Sequence, residues 1–451
     1  MTKDLTAGKP LPLITSFMLP MLFGNLFQQT YNLADTAIVG RFLGEDALAA
    51  VGASSSVQFL ILGFCMGFCT GFSVPVAQRF GAKDYASMKK YIYHAALLAV
   101  AGAIIITAGC SIFCASIIRL LSTPDEIFAN AYTYLLIIFL GIPFTILYNL
   151  TAGILRAVGD SKNPFIFLVI STCINICLDL VFIIVFKWGV AGAAIATITA
   201  QGMSGVMCLV YIIKKAPLLH VNSESRALSG KYVKNLLVMG IPMGLQFSIT
   251  AIGSMVMQSV NNALGTVYIT GLTAGTKIKQ FLLCPYDALS TAAATYCSQN
   301  LGAGKMSRIR EGIKTSLVIA VIYGAAVGAA LVFAGDKIAL LFISKSAAAE
   351  ISAAAAHMRA MGYFFWVLGI LCVTRQIAQG LGFAGRAVFA GVLEMVARCI
   401  VCLGFAGTYG YAAICAADPS AWITACIYAV IMCALCVRKV SRTAPVSRAG
   451  G

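Results

Sequence analysis

The sequence predicts an all-α integral membrane protein with twelve transmembrane helices, in two six-helix lobes related by a pseudo-twofold axis along the membrane normal. Three observations favour this fold class. The chain of 451 residues is 60% hydrophobic and only 11% charged, with a mean hydropathy of +0.90, whereas a soluble globular domain has roughly 25% charged residues. Its apolar runs have the length of membrane spans. Its second half repeats motifs of its first half.

The apolar runs are each about 20 residues or longer, which is the length that a helix needs to cross a bilayer. The predicted spans are residues 13–40, 51–78, 92–118, 128–155, 164–186, 190–213, 233–262, 268–298, 314–334, 354–382, 387–410 and 412–437. The first apolar run lacks a small-residue cleavage site and is long enough to span. We therefore predict that it is a retained helix and not a signal peptide.

Lys and Arg are distributed unevenly over the connections between the spans. Alternate connections hold 22 and 6 of these residues, so the positive-inside rule places both termini in the cytoplasm and requires an even number of spans. We predict a multi-pass protein of the cell (plasma) membrane. The net charge of +16 is dispersed over short connections and forms no basic domain. A nucleic-acid partner is therefore not expected.

An internal repeat divides the chain into two halves. The segment AQRFGAKDYASMKK at residues 77–90 returns as SQNLGAGKMSRIRE at residues 298–311. Because each half has an even number of spans, both halves enter the membrane in the same direction, as in parallel-repeat transporters, whose binding sites lie at the repeat interface. We predict an N-lobe at residues 1–213, a cytoplasmic interlobe linker at 214–232, and a C-lobe at 233–451 that ends in a short basic cytoplasmic tail.

Two isolated acids lie inside apolar spans of the predicted N-lobe. Asp179 is in the fifth span, one turn after Asn175, and Asp35 is in the first span. A carboxylate near the middle of a span costs roughly 2.5 to 3.5 kcal/mol on insertion scales, which favours a functional role. With the hydroxyl of Thr197 in the sixth span, these side chains offer oxygen ligands suited to Na⁺ or to a shared proton. The alternative is that each acid is hydrogen-bonded for helix packing alone.

Other polar residues of the spans are assigned more specific roles. Gln28 precedes Asp35 by two helical turns and shares its face, and Tyr134 lies on the fourth span, so we predict that both line a substrate cavity. For Gln28 and Thr197 a packing role between membrane helices is an open alternative. Pro20 removes a helical hydrogen bond and is predicted to bend the first span.

The predicted C-lobe spans also contain charges. Glu394 and Arg398 are four residues apart in the order that favours a helical ion pair, so we predict a structural pair. The sequence leaves open whether Asp287 lines the cavity or lies near its polar mouth. Three basic residues, Lys277, Lys279 and Arg375, also lie in these spans.

Three motifs resemble the multidrug and toxic compound extrusion (MATE) family. They are the repeated Q-x-[FL]-G-A-[KG] after the second and eighth spans, DTAIVGRFLGEDALAAVG at residues 35–52, and LRAVGDSKNP at residues 155–164. The resemblance covers essentially the whole chain. It implies twelve helices in two lobes around a central cleft, and export of organic cations driven by inward movement of Na⁺ or H⁺.

Within that family the chain is similar to the DinF-like branch. The resemblance implies a cation and proton site at Asp35, Asn175, Asp179 and Thr197, and a bend of the first helix at Pro20. The NorM-like branch has acids on its seventh and tenth helices, but the corresponding spans here contain none. The resemblance therefore assigns coupling to the N-lobe.

These observations together predict a secondary active multidrug exporter that works by alternating access. We expect it to act as a monomer on small organic cations, in contact with membrane lipid and with no cofactor beyond the coupling H⁺ or Na⁺. An enzyme is not expected, because the chain has no H-E-x-x-H, G-x-S-x-G or phosphate-loop motif. A lipid or lipid-linked oligosaccharide flippase of the same superfamily is the open alternative, since Arg375 and Arg398 could line a basic cavity.

Overall fold

The computed structural model describes residues 3–120 and 123–443, which form helices and no strand. The helices are α1 (Pro10–Leu43), α2 (Glu45–Gly81), α3 (Tyr85–Ile112), α4 (Cys114–Leu120), α5 (Asp125–Leu140), α6 (Ile142–Ala157), α7 (Lys162–Leu180), α8 (Gly189–Lys215), α9 (Gly230–Asn262), α10 (Thr266–Gly302), α11 (Met306–Ala339), α12 (Ala348–Gly380), α13 (Ala384–Tyr409) and α14 (Tyr411–Thr443). A π-helical turn, Val181–Val185, follows α7. Residues 444–451 of the predicted cytoplasmic tail lie outside the described residues.

Each predicted span coincides with a long helix or, in two cases, with a pair of helices: α3 and α4 for residues 92–118, and α5 and α6 for residues 128–155. Among the described residues, ten helices are long and apolar enough to cross a membrane, and α5 with α6 makes an eleventh span bent by 42°. The remaining predicted span is the eighth, residues 268–298, which corresponds to α10; this helix is 37 residues long but less apolar because it carries Lys277, Lys279 and Asp287. The predicted all-α membrane fold class is confirmed.

The fourth predicted span, residues 128–155, is not one continuous helix. It breaks at Gly141, between α5 and α6, where Pro143 occupies the first turn of α6. Proline lacks a backbone N–H and its ring clashes with the preceding turn, so the helix ends before it. Gly141 also packs so closely against Ile198 of α8 that a Cβ atom would not fit.

The described chain divides into two compact units. Within the described residues, the first holds residues 3–4 and Leu19–Ser248, and the second holds Leu5–Met18 and residues 249–443. The lobe boundaries given above follow from the sequence repeat and stay a prediction.

Close helix packing in the first unit depends on glycines of α2. A Cβ atom on Gly71 would lie 2.6 Å from the Cα atom of Gly240 on α9, and one on Gly67 would overlap the backbone of Met243. Two helix backbones approach this closely only where side chains are absent, which is a common packing mode in membranes. The phenyl rings of Phe68 and Phe72 fill the adjoining core, with centroids 4.4 Å apart.

The start of α3 is fixed by a capping residue. The Asp84 carboxylate accepts a hydrogen bond from the Ser87 backbone N–H at 3.1 Å and lies 3.3 Å from the Arg79 guanidinium. Slight burial acts to raise the pKa of Asp84, but the hydrogen bonds from Ser87 and the charge of Arg79 outweigh it. The pKa of Asp84 therefore lies below its ordinary value.

Candidate functional site

The two predicted acids of the first unit are near enough for their charges to interact. Asp35 is half-buried in the second half of α1, and Asp179 lies in the last turn of α7 with 0% of its surface exposed. Helices α1 and α7 therefore bring together two carboxylates that are 144 positions apart, from 35 to 179, in the sequence. These acids are the centre of the candidate site.

The carboxylates and a neighbouring amide are not satisfied by protein hydrogen bonds. Among the described residues, neither carboxylate oxygen of Asp179 has a hydrogen-bond partner, and the same is true of Oδ1 of Asp35 and of both side-chain polar atoms of Asn175. Asn175 lies one turn before Asp179 and is 1% exposed. Buried polar groups in proteins are nearly always hydrogen-bonded. The arrangement therefore suits a proton or a small cation that bonds these atoms.

Two tyrosines border the acids. Tyr31 lies one turn before Asp35 on α1, Tyr134 lies on α5, and both interact electrostatically with both carboxylates. Tyr134 is buried and hydrogen-bonds with the side chain of Gln58 on α2. Sequence reasoning selected Tyr134 but missed Tyr31. The four-residue spacing from Asp35, which puts both on one helix face, is the signal that identifies Tyr31.

The structure also places the other residues predicted for this site. Thr197 is buried on α8, where its hydroxyl donates to the Ala193 carbonyl at 3.0 Å, so the hydroxyl oxygen retains lone pairs that can accept a bond. Gln28 is exposed on α1. Pro20 lies inside α1 without ending it. Ion binding by Thr197, cavity lining by Gln28 and bending at Pro20 stay predictions.

A change of helix type follows Asp179 directly. The π-helical turn Val181–Val185 begins two residues after it, and the chain then turns sharply with Lys187 at φ 56°. The rings of Phe182 and Trp188 stack beneath this turn at 4.9 Å. π turns within helices occur often at functional sites, and Asp179 lies in the α-helical turn directly before this one.

The second unit contains a continuous chain of five charged side chains. The Lys279 ammonium lies 2.6 Å from Asp418, whose other oxygen lies 2.9 Å from Arg398; Arg398 is 3.0 Å from Glu394, which is 3.3 Å from Arg375. Asp418 is fully buried and Arg398 nearly so. This ion network joins α10, α12, α13 and α14.

The predicted pair of Glu394 and Arg398 is present and is part of this larger network. Asp418 was missed, although a lone acid within an apolar span is the same signal that identified Asp179. Asp287 is exposed on α10, and its charge interacts with that of Arg375. Because Arg375 and Arg398 each face a carboxylate, these arginines do not form an unneutralised basic cavity.

Known proteins resemble this chain in both sequence and fold. A model of the MatE family matches residues 20–181 and 242–403. The second match begins and ends 222 residues after the first, one residue more than the spacing of the internal repeat. The chain is 33% identical over 307 residues to the "Probable multidrug resistance protein YpnP" of Bacillus subtilis (strain 168), covering 68% of each protein. It is 28% identical over 338 residues to the "Probable multidrug resistance protein YoeA" of the same organism, covering 73% of each.

A solved structure described as the outward-facing conformation of a multidrug resistance MATE family transporter of the MOP superfamily has the same fold. It superposes with a TM-score of 0.91 at 23% sequence identity, covering 98% of both chains. At that identity the likeness establishes the architecture.

Proposed function

The chain belongs to the MatE family, and we propose that it is a secondary active exporter that moves small organic cations out of the cell in exchange for H⁺ or Na⁺ by alternating access. Proteins of this family are transporters and not enzymes. The observation that carries the proposal is the pair of Asp35, which is half-buried, and Asp179, which is fully buried. Among the described residues, Oδ1 of Asp35 and both carboxylate oxygens of Asp179 lack a hydrogen-bond partner. The named relatives, both probable multidrug resistance proteins, support the export of drug-like compounds.

Coupling follows from the chemistry of two carboxylates that interact in a poorly hydrated site. Each negative charge makes the other less favourable, so uptake of a proton or a cation by either carboxylate relieves the repulsion. Loading of H⁺ or Na⁺ at Asp35 and Asp179 removes negative charge and weakens the attraction for a cationic substrate. Release of the coupling ion restores that attraction.

The membrane potential favours entry of the coupling ion and opposes exit of a cationic substrate, so it drives the exchange only where more positive charge enters than leaves. Moving one elementary charge inward is worth about 2.3 kcal/mol per 100 mV, so entry of the coupling ion is favoured at a negative-inside membrane. We place both termini in the cytoplasm and the protein in the plasma membrane, because of the asymmetric distribution of basic residues. A monomer is sufficient, since the candidate site lies within one unit of one chain.

The flippase alternative is not favoured. A flippase for phosphate-linked lipids needs positive charge that is available to the phosphate. The arginines that kept this alternative open, Arg375 and Arg398, lie 3.3 Å and 3.0 Å from Glu394. The named relatives are multidrug resistance proteins.

Transport in liposomes tests the proposal. Purified full-length protein would be reconstituted with a panel of cationic dyes, and pH and Na⁺ gradients would be imposed separately. We expect one gradient to drive dye movement in wild type, and Asp35→Asn and Asp179→Asn each to lose coupled movement. Asp336→Asn is the matched control, because its carboxylate is exposed and, among the described residues, its ion pair is with Arg359 at the surface.

The outcomes separate the two acids and the two ions. Coupled transport at the wild-type rate in either Asp→Asn variant removes that acid from the mechanism. The gradient that drives movement identifies the coupling ion. If neither gradient moves any dye but labelled lipid crosses the bilayer, the exporter proposal is wrong and the flippase is favoured. Comparable elution of all variants in size-exclusion chromatography excludes misfolding as the cause of lost transport.

A further inference from the structure

A groove in the second unit lies between the start of α11 and the end of α14, with α12 beside it. Its volume is about 580 Å³, within the range of pockets that hold small molecules. The residues that line it change in character along its length. Three arginines line one end, and aliphatic side chains of α11 and α14 line the other.

The basic end combines Arg310 of α11 with Arg438 and Arg442 of α14. All three side chains are exposed. A guanidinium nitrogen of Arg310 lies 3.4 Å from the Ser441 hydroxyl, so the two helices are adjacent here. The ion pairs formed among the described residues include none of these three arginines. This end therefore concentrates positive charge.

The apolar end is formed by Ile313 and Leu317 of α11 and by Val430 of α14. From Val430 to Arg442 a helix rises by about 18 Å at 1.5 Å per residue. That length is somewhat more than half of a hydrocarbon core about 30 Å thick. The groove therefore has the depth of a single bilayer leaflet, with its charges at one end and an apolar wall along the rest.

We propose that this groove binds an anionic phospholipid of the cytoplasmic leaflet. The headgroup phosphate would lie among Arg310, Arg438 and Arg442, because the planar guanidinium group bonds phosphate oxygens in pairs. One acyl chain would lie along Ile313 and Leu317. The basic end is on the side where the distribution of Lys and Arg predicts the cytoplasm, and basic pockets between membrane helices on that side suit anionic headgroups.

Net headgroup charge decides between lipid classes. Phosphatidylcholine carries the same phosphate but also a quaternary ammonium, which three arginines would repel. Phosphatidylglycerol has no such cation. We therefore expect the groove to prefer phosphatidylglycerol to phosphatidylcholine of equal acyl length, and to bind inorganic phosphate weakly because the apolar wall then remains uncovered.

The headgroup part is tested with purified full-length protein in neutral detergent, by native mass spectrometry of bound phosphatidylglycerol and phosphatidylcholine. At about 1 kcal/mol for each basic residue, the triple variant R310Q/R438Q/R442Q should bind phosphatidylglycerol roughly 100-fold more weakly. The matched control is K89Q/K90Q/R226Q, which removes three basic residues from the same predicted side outside the groove. The control should bind as wild type does.

The acyl part is tested by Leu317→Trp, which fills the apolar end and leaves the arginines in place. It should weaken binding of phosphatidylglycerol but leave any thermal shift by inorganic phosphate unchanged. Equal binding of the two lipids overturns the proposal, and so does an equal loss in the K89Q/K90Q/R226Q control. If inorganic phosphate alone matches phosphatidylglycerol and Leu317→Trp has no effect, the groove is a simple anion site and the lipid proposal is wrong.

Discussion

Replacing Asp418 by Asn should strongly destabilise the second unit. Asp418 is fully buried and lies 2.6 Å from Lys279 and 2.9 Å from Arg398. At an effective dielectric constant of about 20, unit charges at these separations attract by about 6 kcal/mol per pair, and the cost of removing the ions from water offsets a large part of this. Removing one partner of a buried ion pair typically costs about 3 to 5 kcal/mol, because the other charge remains buried. We expect a loss in that range for Asp418→Asn.

The assay is the free energy of unfolding in mixed micelles, measured by fluorescence as sodium dodecyl sulfate is added. The matched control is Asp336→Asn, which also removes one carboxylate from an ion pair at 2.9 Å, but from side chains that are 59% and 47% exposed. Exposed pairs contribute about 0 to 1 kcal/mol. The difference between the two variants therefore measures the effect of burial.

A second substitution checks that the loss comes from unbalanced charge. In K279Q/D418N, one positive and one negative charge leave the network together, so its net charge equals that of wild type. We expect the double variant to lose less stability than the sum of the single losses, by about 0.5 to 3 kcal/mol. Equal unfolding free energies for Asp418→Asn and Asp336→Asn, or strict additivity in the double variant, would refute the reasoning.

Two further predictions concern packing and capping in the first unit. Gly71→Val should destabilise the protein by about 1 to 3 kcal/mol, because a side chain at this position pushes α2 away from α9. Gly52→Val is the control and should be nearly neutral, because the space around its Cβ position is open. Equal losses of unfolding free energy in the same micelle assay would contradict the close approach of α2 and α9. Asp84→Ala should lower the free energy of unfolding by about 0.5 to 2 kcal/mol at pH 7, because it removes the carboxylate that caps α3 at the Ser87 N–H. Because the folded state lowers the pKa of Asp84, this stabilisation is present above the unfolded value of about 3.9 and lost as pH falls through the folded pKa. An undiminished difference between wild type and Asp84→Ala at pH 3 would contradict the capping argument.

The positions of the helices follow from the sequence because membrane insertion is a local property. A run such as residues 164–186 is long and apolar enough to predict a span without knowledge of its neighbours, and α7 with its π turn lies there. The break at Gly141 was not predicted. Both flanking segments are apolar, so hydropathy alone shows no interruption, although Pro143 is a signal for one.

The two acids of the candidate site were predictable from the sequence, because each is an isolated charge in an apolar span. Asp35 and Asp179 were selected from their cost in a membrane, and their charges do interact. The ion network could be predicted only in its local part, Glu394 with Arg398, because that pair is one helical turn apart. Lys279 and Asp418 are separated by 139 positions and lie on different helices. The spacing of residues along α10 or along α14 does not show that these two helices pack together.

The ion network also bears on how the chain enters the bilayer during synthesis. Charged residues oppose insertion of an isolated helix, but α13 carries Glu394 and Arg398 as an internal pair, and Asp418 of the next helix, α14, reaches the same arginine at 2.9 Å. Inserted as a hairpin, these last two helices bring three of the five charges into contact with one another. The hairpin then has one excess negative charge, which Lys279 and Arg375 on helices made earlier are placed to meet. We therefore expect biogenesis of the second unit to finish with docking of this hairpin.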